Sequence, residues 1–251
     1  MRHSEYFLDL LELDTEAYQV IAVVGGGGKT SLIYRLCQEL QALKKRVVIA
    51  TTTHMAMDPE RPFARDGKRE EVLSLMEEYG YVIAAGLDQE KGKYTALPME
   101  ELRGLTELCD VMLIEADGAK HQPLKVPEAW EPVIPDFAQA VISVVGLDCL
   151  GKPIRETTHR MERTCEFLQK SLDAPVTFED VVKIASSFHG LLKDVEDRLY
   201  RVYLNKTDVL DNPLTAERLV EELRERGTFA ASGSLLKEAQ RGRRAGEEGE
   251  D

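Results

Sequence analysis

Apolar residues along the chain gather in short runs with few polar interruptions, separated by stretches in which they recur every three or four positions. The runs fall at 20–24, 47–52, 81–85, 111–114, 140–145 and 199–204, and β-branched residues dominate them. Strands with no polar alternation are buried on both faces, as in a parallel sheet covered by helices. The amphipathic stretches predict helices over 31–44, 68–79, 98–108, 156–171, 178–187 and 214–226. Thr177, with Asp180 three residues on, is the capping signature of the fifth of these. Strand and helix in alternation predict a three-layer α/β fold around a mostly parallel sheet.

One stretch obeys neither period. Residues 117–136 hold Pro123, Pro127, Pro132 and Pro135, a density that forbids a helix or a central strand. A long shaped loop is expected there, and such loops inside compact domains are usually functional. Residues 1–237 read as one domain. Residues 238–251 carry almost nothing apolar and are expected to form a disordered acidic tail.

The remaining bulk properties narrow the function. The chain has 251 residues, 32 Lys+Arg against 45 Asp+Glu, and a net charge of −13. A surface this acidic repels phosphate backbones and anionic lipid, so neither nucleic acid nor membrane is an expected partner. Four scattered cysteines without a C-x-x-C pair suit a reducing, cytoplasmic setting. No signal peptide and no run of ~20 apolar residues is seen.

The chemistry concentrates at predicted strand ends. The first run leads into Gly25, Gly26, Gly27, Gly28, Lys29, Thr30 and Ser31, then into a helix. Glycines let backbone N–H groups converge on a phosphate, the helix start adds its dipole, Lys29 supplies a cation, and Thr30 offers a hydroxyl to Mg²⁺. Val23 stands where the full G-x-x-x-x-G-K-[ST] motif has its first glycine. The shortened form is similar in length to the loop of ATP-dependent Mur-type ligases. A Rossmann site is excluded by Thr30 at the third small position and by Thr51, Thr52 and Thr53 where an acid for the ribose belongs.

Thr52 and His54, at the second strand end, are candidates to face the phosphates or a substrate. Glu115 and Asp117 follow the fourth run like the acids of a Walker B element, either of them placed to hold Mg²⁺. Asn205, Lys206 and Asp208 spell N-K-x-D after the last run. In GTPases that element reads guanine through its Asp, packs its Lys along the base and ties its Asn to the phosphate loop. Trp130 is expected to be a packing anchor, and His159, Arg160 and Arg163 to lie on a solvated helix face.

In combination, the segments VGGGGKTS at 24–31, ATTTH at 50–54, IEADGAKHQPLKVP at 114–127, EPVIP at 131–135, GLLKD at 190–194 and LNKTD at 204–208 resemble the selenium-dependent hydroxylase accessory family, also called YqeC-like. That resemblance implies a P-loop NTPase fold and a part in maturing selenium-containing molybdenum hydroxylases. It also implies that Asp117, Lys120, Lys125 and Glu131 line the site. The expectation is a Mg²⁺-dependent nucleoside triphosphatase that binds a purine nucleotide, GTP ahead of ATP. An ATP-dependent ligase or kinase and a non-hydrolysing, nucleotide-stabilised binding module are the alternatives.

Overall fold

The computed structural model describes residues 6–236. The predicted tail at 238–251 lies outside them. Twelve strands are described: β1 (Val20–Gly25), β2 (Val47–Thr51), β3 (His54–Ala56), β4 (Phe63–Arg65), β5 (Tyr81–Asp88), β6 (Lys93–Thr95), β7 (Val111–Glu115), β8 (Leu124–Lys125), β9 (Ala140–Gly146), β10 (Thr158–His159), β11 (Leu199–Asn205) and β12 (Ala230–Ser232). The helices are α1 (Phe7–Leu10), α2 (Lys29–Ala42), α3 (Arg69–Tyr79), α4 (Met99–Gly104), α5 (Ile154–Thr157), α6 (Met161–Leu168), α7 (Phe178–Ser186) and α8 (Leu214–Glu225).

Ten strands form one sheet, ordered β12-β11-β9-β1-β7-β2-β5-β6-β3, with β4 alongside β5. The stretch from β12 to β5 is parallel throughout, and β6 alone is reversed, pairing antiparallel with β5 and with β3. The sheet is buried on both faces, as its apolar runs require. Ile21 and Val23 of β1 pack with Leu32, Leu36 and Leu40 of α2 on one face. Their neighbours Val20, Ala22 and Val24 pack on the other with Val72 and Met76 of α3. A third apolar cluster joins β9 and β11 to α7 and α8. Fully burying one such side chain contributes about 1.5–3 kcal/mol. Among the described residues no helix is long and apolar enough to cross a membrane.

The six expected strands and the capped helix α7 are present; Thr177 accepts from the Asp180 N–H and the Asp180 carboxylate accepts in return. The continuous helix expected over 156–171 is not. Thr158 and His159 instead pair with Leu124 and Lys125 as the β10–β8 ladder, Arg160 turns left-handed at φ 64, and the helix starts afresh at Met161. The β-branched pair Thr157-Thr158 disfavours helix and suits that pairing. Short β3, β4, β6 and β12 were not expected. Trp130 is 66% exposed rather than a packing anchor.

Topology locates the crevice. From β1 the chain crosses to β2 on one side, and from β9 it crosses to β11 on the other. The carboxyl ends of adjacent β1 and β9 therefore form a switch point, where ligands of open α/β sheets bind.

Candidate functional site

The glycine loop occupies that switch point, and its glycines are required by close approach. A Cβ on Gly25 would lie 2.4 Å from the Val144 carbonyl oxygen, and one on Gly27 would lie 2.2 Å from the Gly146 nitrogen. Gly25 and Gly27 also hold φ of 92° and 76°, a region costly for any residue with a Cβ. The N–H groups of Gly25, Gly26 and Gly27 are donated inward, to Asp117 Oδ2, the Val144 carbonyl and the Gln122 carbonyl. The N–H groups left without an intrahelical acceptor are those of the first turn of α2, where an anion would be received.

Lys29 is 6% exposed and donates to the Gly25 carbonyl at 2.8 Å. Its Nζ also lies 3.1 Å from Asp117 Oδ1, an ion pair whose angle falls outside a hydrogen bond. Thr30 donates its hydroxyl to Glu115 Oε2 at 2.6 Å. Burial pushes the Glu115 carboxyl above its ordinary range, against the pull of Lys29 and the Thr30 hydroxyl. Glu115 and Thr30 thus present adjacent oxygens at the end of β7 and the start of α2, a donor set that fits Mg²⁺ completed by phosphate oxygens and water. Asp117, 1% exposed, is held between two lysines: Lys125 Nζ approaches its Oδ2 at 3.2 Å.

Lys125 is fully buried and continues a ladder of alternating charge. It pairs with Glu131 at 3.0 Å and donates to the Gly118 carbonyl at 2.8 Å, and Glu131 accepts from Arg160 at 3.1 Å. Burial opposes the Glu131 charge, but Arg160 and Lys125 outweigh it and hold the carboxyl below its ordinary value. Lys120 and His121, at the tip of the same loop, are exposed.

The N-K-x-D element arrives from β11. Asn205 Nδ2 donates to the Gly27 carbonyl at 2.8 Å, and its Oδ1 accepts from the Lys206 and Leu235 N–H groups. Lys206 pairs with Asp148 at 2.7 Å. Asp208 keeps one buried oxygen, Oδ1, without a hydrogen-bond partner. A cleft of about 580 Å³ opens beside Asn205 and Lys206, lined also by Gly28, Ser31, Tyr34, Arg61 and His121, and Asp208 is not part of its lining. That volume suits a small-molecule site.

The threonines at the end of β2 and just beyond it serve mainly as ties. Thr51 donates to the Glu115 carbonyl, and Thr52 donates to the Val133 carbonyl in the proline-rich loop. His54 is exposed and opens β3 opposite Thr95. Arg61, which stacks 3.6 Å over the Tyr34 ring at the cleft, had no local signal in the sequence. Arg160 and His159 were also missed as site residues, because their position depends on the β8–β10 pairing.

A parallel sheet, a glycine loop at its switch point and a strand-end acid on the adjacent strand define a three-layer α/β protein of the P-loop-like class. The family model described as YqeC protein matches residues 21–162. The curated "Uncharacterized protein YqeC" of Escherichia coli (strain K12) is 34% identical over 213 residues, covering 82% of this chain and 83% of that one. The chain belongs to the YqeC family.

Proposed function

We propose that the protein is a Mg²⁺-dependent nucleoside triphosphatase that prefers GTP and acts as an accessory factor in maturing a selenium-dependent molybdenum hydroxylase. The observation that carries the nucleotide reading is the bond from Asn205 to the Gly27 carbonyl. It joins the glycine loop to the N-K-x-D element beside one cleft, which supports a phosphate and a base bound together. The partnerless Asp208 oxygen supports guanine, whose N1–H and exocyclic amine are both donors.

In this reading Lys29 neutralises phosphate charge and the N-terminal turn of α2 supplies backbone donors. Thr30 and Glu115 would hold Mg²⁺, which when bound offsets charge on the phosphate oxygens. Lys29 now faces Asp117, so a phosphate that draws it away leaves Asp117 to Lys125 and Gly25 alone. That change reaches the proline-rich loop directly, since Gln122 and Pro123 accept hydrogen bonds from Gly27 and Gly146. Loop movement driven by the nucleotide is the output offered to a client hydroxylase or its cofactor machinery.

Burial pushes the Cys37, Cys109 and Cys149 thiols up to about 12 and raises Cys165 as well, which disfavours their thiolate forms. A second reading, triphosphate-dependent activation of a small acid by a ligase or kinase, is favoured by the cations clustered around Arg160.

Calorimetric titration of Mg²⁺–GTP into the wild type and Lys29→Ala tests the proposal. Loss of one charge-assisted phosphate contact should weaken binding at least about tenfold. Unchanged affinity in the variant would overturn it.

A further inference from the structure

The cations beyond Asp117 exceed what an ion-pair ladder requires. Lys125 and Arg160 share one carboxylate, Glu131, and Lys125 has a part of Asp117, which Lys29 also claims; the Lys120 charge bears on His159 beside them. Lys120 makes no ion pair among the described residues, and on a chain of net charge −13 such a surplus is conspicuous. The β8–β10 ladder sets His159 opposite Lys125, and Arg160 follows directly. The Nε atoms of Arg160 and Arg163 are buried without a hydrogen-bond partner. Lys120, His121 and Arg160 hold left-handed φ of 46°, 64° and 64°, strain of a kind that collects at ligand sites.

We infer that Lys120, His159 and Arg160 form a receptor for the oxyanion group, phosphoryl or carboxylate, of a small second substrate, separate from the glycine loop. The inference deepens the nucleotide reading by naming the class of a second ligand. The receptor's own test does not need the nucleotide.

His159 reports on the surplus. Burial, then the charges of Lys125, Arg160 and Lys120, against the opposing pull of Glu131, lower its pKa to about 4. The imidazole is therefore neutral at pH 7, and an anion seated beside it would raise that value. Trp130, the chain's single tryptophan, lies exposed with the Arg160 guanidinium 5.8 Å from its ring centroid. It supplies an intrinsic fluorescence signal at the receptor.

The test titrates the full-length protein with inorganic phosphate and, in a second arm, with malonate. Tryptophan fluorescence gives the affinity, and NMR of the His159 imidazole gives its pKa. The expected result is a saturable response to at least one probe, with the His159 pKa rising by about one unit, equivalent to tenfold tighter anion binding to the protonated form. The arm that responds names the oxyanion. In Lys29→Ala the response should persist. In Lys120→Gln, an exposed position that should leave the fold intact, it should weaken about tenfold, as when a charge-assisted contact is lost. No saturable response to either probe would overturn the receptor. So would a response lost in Lys29→Ala and unchanged in Lys120→Gln, which would assign the anion to the glycine loop. Failure of GTP binding with the phosphate or malonate response intact would sink the nucleotide reading and leave the receptor standing.

Discussion

Two loops leave adjacent strands and meet over one site, yet different physics holds each. The glycine loop after β1 keeps its shape through absent side chains: backbone lies against backbone, and a single added methyl group collides. The proline-rich loop after β7 keeps its shape through charge, with Lys125 fully buried between Asp117 and Glu131. The first is a cradle whose form depends on local sequence. The second is a buried ionic ladder whose last rung, Arg160 on Glu131, forms only once β10 has docked on β8. The comparison teaches where change can propagate: glycine contacts transmit position, whereas a ladder ending at Lys29 transmits charge.

Removing the middle of the ladder should have the largest effect. Lys125→Met leaves two buried carboxylates without their shared cation and should cost about 3–5 kcal/mol in urea denaturation. A loss below 1 kcal/mol would show that the ladder is not what holds the loop. Gly27→Ala attacks the other loop, combining a left-handed φ with a 2.2 Å approach to Gly146, and should cost about 2–4 kcal/mol. Glu115→Gln should act in the opposite direction. A carboxyl whose folded-state pKa lies above its unfolded value is stabilising only when protonated, so its charge at pH 7 opposes folding. Without nucleotide the variant should therefore melt higher, by roughly 2–4 °C for each kcal/mol relieved, while losing Mg²⁺-dependent binding. The smallest effect is acid sensitivity. Glu131 has a lowered folded-state pKa, so its contribution is present above its ordinary value of 4.5 and lost as pH falls through the folded value. Stability of the wild type should fall off below about pH 4.5 more steeply than that of Glu131→Gln, measured by thermal melts across pH.

The same contrast explains what could be read from the sequence. The six strands announced themselves because a doubly covered parallel strand is mostly apolar, with Ser143 in β9 and Arg201 in β11 as exceptions. The glycine loop and N-K-x-D are contiguous motifs, and Asn205 does bond to the glycine loop, at the Gly27 carbonyl. The ladder was legible only in part. Lys125 and Glu131 came from family resemblance, but a lysine in a polar, proline-rich segment reads as solvated, and nothing local indicates its complete burial. Arg160 and His159 were hidden by helical spacing over 156–171, which tertiary pairing overrode at Thr158. Strand β12 is three small residues, Ala230-Ala231-Ser232, too short for its period to register. Glu39 carried no hint that its carboxylate would accept the N–H groups of Phe7 and Leu8 and anchor α1.

The central claim is that the two motifs joined through Asn205 and Gly27 form one guanine-nucleotide cleft. It is tested most directly by titrating Mg²⁺ complexes of GTP, ATP and XTP against the wild type and Asp208→Asn. If Asp208 reads the base, GTP binds the wild type at least about tenfold more tightly than ATP, because a carboxylate oxygen covered by the base and left unpaired costs roughly 1–3 kcal/mol. In Asp208→Asn that preference should erode and move toward XTP, whose additional carbonyl needs a donor. Equal affinity of the wild type for GTP and ATP would contradict the account.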